Sequence, residues 1–203
     1  MTVIIDYGLG NLFSIQNMLK HIGEKAIIAN EKRELEQADR LILPGVGAFD
    51  EGVANLMRYG LKEEIKHCVT ELGKPILGIC LGMQLLGKTS EEGYMEGLSL
   101  LDFDTMRFRL GDGYKIPHMG WERVHFIQKE CKLLNGIEDN QRYYFVHSYH
   151  ACCNDESIEM IRCEYGYGFA AAVHKDNVYG VQFHPEKSHR YGMSILLNFA
   201  RIS

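Results

Sequence analysis

The sequence predicts an α/β fold with a mostly parallel central sheet covered by helices, followed by a C-terminal half of antiparallel strands. Two observations lead there. In the first half, short β-branched runs such as Thr2 to Asp6 and Ile76 to Ile79 alternate with longer amphipathic segments. Strands separated by helices come back in the same direction and are buried on both faces. After Gly97 the strands shorten and are joined by turns rather than helices, which favours antiparallel pairing.

The elements follow in order. Thr2 to Asp6 reads as a strand. Asn11 to Ile22 sets Leu12, Ile15, Leu19 and Ile22 on one helical face, with Gly23 as its stop. Ala26 to Ala29 and Arg40 to Leu43 are two further strands. A helical stretch from Asp50 to Glu71, interrupted at Gly60, leads to the apolar strand Ile76 to Ile79 and a helix from Gly82 to Gly87. Beyond Gly97 the predicted strands are Arg123 to Gln128, Tyr143 to His147, Phe169 to His174 and Val178 to Phe183. Lys175, Asp176 and Asn177 join the last two with a composition that favours a hairpin. Ser194 to Ala200 closes the chain as a helix. No linker or repeat divides it, so residues 1–203 are expected to form one domain.

Composition narrows the function classes. A formal net charge of -5 provides no basic field for nucleic acid or an anionic membrane, and neither is expected as a partner. No segment approaches the roughly 20 apolar residues of a membrane span. Met1 to Asp6 is too short and lacks the basic flank of a secretory signal, so the cytoplasm is the expected location. The six cysteines are scattered, with Cys152 beside Cys153, and suggest neither a disulfide framework nor a zinc site. One of them is free to be singled out by chemistry.

The segment Gly78-Ile79-Cys80-Leu81-Gly82 does so. It is a G-x-nucleophile-x-G elbow with cysteine in place of serine, set between an apolar strand and an apolar helix. Such a turn projects the sulfur above the sheet at a helix start, where the thiolate is favoured and the Leu81 N–H is free to meet an oxyanion. A core cysteine in a glycine-rich turn explains the pentapeptide equally well. Gln182-Phe183-His184-Pro185-Glu186 changes the balance, because a cysteine nucleophile needs a base and the base an orienting acceptor. Leu43-Pro44-Gly45-Val46-Gly47-Ala48-Phe49 follows a predicted strand with two glycines around Val46, and could supply a second oxyanion donor. It contains no nucleotide fingerprint. Glu91 and Glu92 read as a solvated face. His147 reads equally as a framework histidine or a substrate contact, and Met119 and Trp121 as core or interface.

Taken together, these residues resemble the class I, or triad, glutamine amidotransferases, and the match spans nearly the whole chain. Within that class, five motifs are similar to those of glutaminase subunits of imidazole glycerol phosphate synthases: Asp6 to Leu12, Pro44 to Gly47, Gly78 to Gln84, Pro117 to Trp121 and Gln182 to Ser188. The resemblance implies a flavodoxin-like fold and no cofactor. It implies Cys80 as nucleophile, His184 as base and acid, and Glu186 as orienting carboxylate. Val46 and Leu81 would give the oxyanion N–H groups. Gly47 and Gln84, with His147, Ser148 and Tyr149, would hold L-glutamine. Asn11, Met119 and Trp121 would face a barrel-shaped cyclase subunit that receives the ammonia in a heterodimer. There the ammonia would be incorporated as imidazole glycerol phosphate and aminoimidazole carboxamide ribotide form in histidine biosynthesis.

Two departures bear on the acceptor. Glu122 stands where asparagine usually follows the tryptophan, and Ser188 to Met193 resembles paralogues that supply surface-sugar amidation. Both acceptors stay open at this level. A cysteine hydrolase or peptidase on a related fold is a third reading, although its chemistry requires neither Gln84 nor the Pro117 to Trp121 segment.

Overall fold

The computed structural model describes residues 1–202. Its first half contains the strands β1 (Thr2–Ile5), β2 (Ala26–Ala29), β3 (Arg40–Gly45) and β4 (Ile76–Cys80). These are separated by α1 (Leu12–His21), α2 (Lys32–Gln37), α3 (Phe49–Arg58) and α4 (Leu61–Thr70). The helical stretch between β3 and β4 breaks at Gly60, in the left-handed region at φ 67°, as its position in the sequence indicates. The short α5 (Leu81–Leu86) leaves β4 directly.

The second half adds β5 (Phe103–Arg107), β6 (His118–Phe126), β7 (Arg142–His147), β8 (Tyr149–Cys153), β9 (Glu159–Tyr165), β10 (Tyr167–Lys175) and β11 (Val178–Val181), then α6 (His189–Ala200). All eleven strands join one sheet in the order β2-β1-β3-β4-β11-β10-β9-β6-β7, with β8 pairing β10 and β5. The pairs from β2 to β11 are parallel, and those beyond β11 antiparallel. The expected hairpin is β10–β11, turned by Asp176 and Asn177.

Two apolar layers pack on the sheet. One gathers Ile4, Ile42, Leu77 and Ile79 with Phe183, Leu196 and Phe199; the other gathers Val3, Ile5, Leu41 and Leu43 with Phe49, Leu81 and Leu85. The alternation along β1 and β3 thus feeds both faces of a doubly covered sheet.

Four elements go beyond the sequence-based expectation: α2, β5, β8 and β9. The last three mix polar residues with short apolar alternation, as in Phe103-Asp104-Thr105-Met106-Arg107, and their pairing is decided by tertiary neighbours. Strand β6 also begins at His118, five residues before the predicted start at Arg123.

The β3–β4–α5 junction admits no side chain at three glycines. A Cβ at Gly82 would overlap the Leu43 carbonyl oxygen, and one at Gly78 would lie 2.6 Å from the Gly82 oxygen. At Gly45 it would meet the Tyr7 hydroxyl and stand 2.9 Å from the Gly82 nitrogen. Gly82→Ala should therefore destabilise the protein by about 3 kcal/mol, the upper range for overpacking, and lower the thermal midpoint by roughly 6–12 °C. Gly111→Ala, where a Cβ meets nothing within 4 Å, should leave the same melting curve almost unchanged.

Candidate active site

Register builds the site. Along β3 and β4, Gly45 pairs with Cys80, and along β4 and β11, Ile79 pairs with Val181. The three parallel strands therefore end at one edge, with Gly45-Val46-Gly47 on one side of Cys80 and Gln182-Phe183-His184 on the other. This is where open parallel sheets gather ligands.

Cys80 sits at φ 54° and ψ -111°, a backbone conformation that costs a non-glycine residue about 1–3 kcal/mol. The contacts that exclude side chains at Gly78 and Gly82 hold it there. His184 is fixed from behind: its N–H donates to the Tyr144 carbonyl at 2.9 Å, and its carbonyl accepts from the Ser188 hydroxyl at 2.7 Å. Pro185 opens a short 3-10 turn that brings Glu186 under the ring. His184 Nδ1 lies 2.8 Å from Glu186 Oε1, and both side chains are 2% exposed. A carboxylate only accepts, so Nδ1 carries the proton and Nε2 is left for other chemistry. Nε2 has no partner among the described residues. Burial opposes the imidazolium, but the Cys80 sulfur and the Glu186 carboxylate outweigh it and push His184 up to about 9.

Cys80 and His184 line a cleft of about 290 Å³ together with Val46, Gly47, Leu81, Gln84, His147, Ser148 and Tyr149. Glu186 lies behind His184. Thus every residue expected to touch glutamine or its oxyanion borders one space. Glu92, Pro117, Val146 and Lys187 border it as well, beyond the set that the sequence indicates. For Glu92 the solvated-face reading is corrected: its Oε2 accepts from the Phe49 N–H at 2.8 Å, at the start of α3. Asp50 answers by accepting from the Tyr94 and Met95 N–H groups. The two carboxylates latch the segment after α5 to the start of α3. Glu91 is likewise engaged, accepting from the Arg107 N–H and pairing with Arg109. Two adjacent acids in a turn give no sign of such cross-chain bonds.

A buried hydrogen-bond line runs behind the cleft. His147 Nδ1 donates to the Tyr149 carbonyl at 2.8 Å, so its Nε2 is bare and accepts from His118 Nδ1 at 3.0 Å. Burial pushes His118 down to about 4 and His147 to about 3, so both are neutral. Gln84 Nε2 also donates to the Tyr149 carbonyl, at 3.2 Å, and to Gln182 Oε1 at 3.0 Å. Gln182 Nε2 reaches Cys80 Sγ at 3.7 Å. Both ring nitrogens of His147 are thus used inside the protein, the framework role, while its ring forms part of the cleft wall.

The residues expected at an interface lie outside the cleft lining. Asn11 is exposed on the loop after β1, whose Gly10 packs against Pro44. Met119 is 61% exposed, which excludes a core role. Trp121 is half-buried and stacks flat on His189 at a centroid distance of 5.5 Å.

Comparison with known proteins gives the family and the fold. The chain is 48% identical over 202 residues to the imidazole glycerol phosphate synthase subunit HisH 2 of Pseudomonas aeruginosa, covering both chains completely. It is 49% identical over 201 residues to the protein of that name from Methanococcus maripaludis, covering 99% of each. Among solved structures, PurLQS from Thermotoga maritima aligns with a TM-score of 0.75 at 20% identity, over 98% of this chain and 96% of that one. A glutamine amidotransferase of Thermotoga maritima aligns with a TM-score of 0.63 at 18% identity, over 91% of this chain and 75% of that one. At such identities the structures establish the shared fold. The family described as "Glutamine amidotransferase class-I" matches residues 3–202, and the chain belongs to that family.

Proposed function

We infer that this chain is the glutaminase subunit of an imidazole glycerol phosphate synthase, hydrolysing L-glutamine to glutamate and passing the ammonia to a cyclase subunit. The observation that carries the chemistry is the convergence in one cleft of Cys80, on a strained elbow, with His184, whose other face is bonded to Glu186. The names and full-length identity of the relatives support this acceptor over the surface-sugar alternative. A peptidase could share the Cys80 elbow, but the family match over residues 3–202 supports the amidotransferase reading instead.

The reaction follows from the groups present. The Cys80 thiol proton moves to His184, and the thiolate attacks the glutamine carboxamide carbon. The Leu81 and Val46 N–H groups receive the oxyanion, and Gly47, at φ 114°, makes the turn that follows Val46. Imidazolium His184 protonates the leaving ammonia, giving a thioester. Water, deprotonated by His184, then releases glutamate and the thiolate. Both amide hydrogens of Gln84 are engaged by protein, so its Oε1 is the atom left to accept from the substrate carboxamide. Glu92 is the one carboxylate on the cleft wall among the described residues, and it suits the α-ammonium group. Ser148 and Tyr149 complete the wall.

Replacing Cys80 by Ala should reduce glutamine-dependent synthesis in the complex by at least about 1,000-fold, while synthesis from added ammonium ion continues. Glutamine hydrolysis near the wild-type rate would remove Cys80 from the mechanism.

The ion pair has a definite pH range. His184 is raised from 6.5 to about 9, so its stabilising contribution is complete below about pH 6.5 and is lost as pH rises through about 9. The imidazolium that protonates ammonia is lost over the same range. Hydrolysis should therefore decline above about pH 9, and Glu186→Gln should move that decline to lower pH and reduce kcat more than it raises KM. An unchanged alkaline limb in a pH–rate profile would show that Glu186 does not act on His184.

Trp121→Ala should weaken association with the cyclase by about tenfold or more, as expected for an aromatic anchor, and leave the melting of the isolated chain nearly unchanged. A large loss of stability at unaltered affinity, measured by titration calorimetry, would assign Trp121 to the fold instead.

A further inference from the structure

We propose that Gln182 is a further catalytic residue, whose side-chain amide donates a hydrogen bond to the Cys80 sulfur and holds it as the thiolate. The proposal rests on Cys80 being the nucleophile. Register brings Gln182 to the sulfur: Val181 pairs with Ile79, so the next residue of the β11 strand comes level with Cys80. Its backbone N–H is tied to the Ala171 carbonyl at 2.9 Å, and the residue is completely buried.

The direction of the hydrogen bond follows from the chain of partners. The Tyr149 carbonyl can only accept, so the Gln84 atom facing it is the amide nitrogen. That nitrogen also faces Gln182, which must present its carbonyl oxygen in return. The Gln182 amide nitrogen is then left against Sγ, at 3.7 Å. A buried side chain whose far end is already anchored offers its proton to sulfur with little loss of freedom. Reversing the Gln182 amide would bring its nitrogen against that of Gln84 and its oxygen against sulfur, leaving donors unpaired in a buried site.

Gln182 does not border the cleft, so its action on substrate passes through sulfur. A hydrogen bond to a charged acceptor is stronger than one to a neutral thiol. The amide therefore favours Cys80 as thiolate before attack, and favours it again as the leaving group when water opens the thioester. The titratable groups facing the sulfur are His184, after β11, and Tyr7, after β1, whose buried hydroxyl is disfavoured from ionising by burial and by the Cys80 charge. Glu186 acts through His184, while Glu92 and Lys187 border the same cleft. All of them are retained in a Gln182 variant.

The test uses the full chain and its complex with the cyclase. A glutamine-like electrophile first identifies the reactive cysteine by mass spectrometry. Iodoacetamide alkylation of the Cys80 peptide is then followed against pH in wild type and Gln182→Met. The midpoint should rise by about one pH unit in the variant, which is about tenfold less thiolate at a pH below both midpoints, and the difference should close at alkaline pH. In the complex, kcat should fall about tenfold at a pH below both midpoints, with KM for glutamine within about twofold. Superimposed alkylation profiles would overturn the role of Gln182. Failure of the electrophile to label Cys80 would instead overturn the nucleophile assignment beneath it. Should Gln182→Met not fold, the side-chain amide proton of Gln182 in the wild-type protein decides by NMR. It should shift with the alkylation midpoint of Cys80, and a resonance that stays constant across that pH would overturn the proposal.

Discussion

The site depends on how closely β3, β4 and α5 approach one another. No side chain fits at Gly45, Gly78 or Gly82 because backbone or the buried Tyr7 hydroxyl already occupies the space a Cβ would fill. This contact makes the chain turn abruptly at Cys80 and forces a non-glycine residue into a left-handed conformation. The same contact sets the Val46 peptide beside the sulfur, since Gly45 pairs with Cys80. The Cys80 turn and the Gly45-Val46-Gly47 loop are therefore products of one packing constraint, for which the close-packed β4–α5 core is the counterweight.

The electrostatics of the site divide along the same geometry. On the β11 side, His184 has a carboxylate behind it and a sulfur before it, and both favour its cation. On the β7–β8 side, His118 and His147 are held neutral by burial and bond to each other. The line of side chains from His118 through His147 and Gln84 to Gln182 thus carries no charge at neutral pH, and the cationic role is reserved for one imidazole. The neutral pair also keeps the Tyr149 carbonyl occupied, which orients Gln84 beside the substrate cleft.

Much of this was legible in the residues. The glycines around Cys80, the His-Pro-Glu segment and the paired glycines around Val46 each require a particular local backbone, and local requirements leave a pattern. The parallel half was readable for the same reason: β1, β2, β3 and β4 are apolar runs punctuated by amphipathic helices. What escaped was decided at long range. Glu92 looks like any surface acid until Phe49, 43 residues earlier, offers it an N–H. Gln182 gains its meaning only when β11 is laid beside β4. Strands β5 and β8 pair with each other across an intervening stretch of chain, and nothing in five polar-apolar residues names a partner. The start of β6 at His118 likewise depends on its pairing with His147 on β7.

Strand β11 is the last of the chain, yet it lies inside the sheet, between β4 and its hairpin partner β10. The amino-terminal strands carry the thiol on its turn, but His184 and Glu186 are brought beside it only through β11. The Cys80, His184 and Glu186 cluster therefore exists only in the finished sheet, with the final strand lying between β4 and β10.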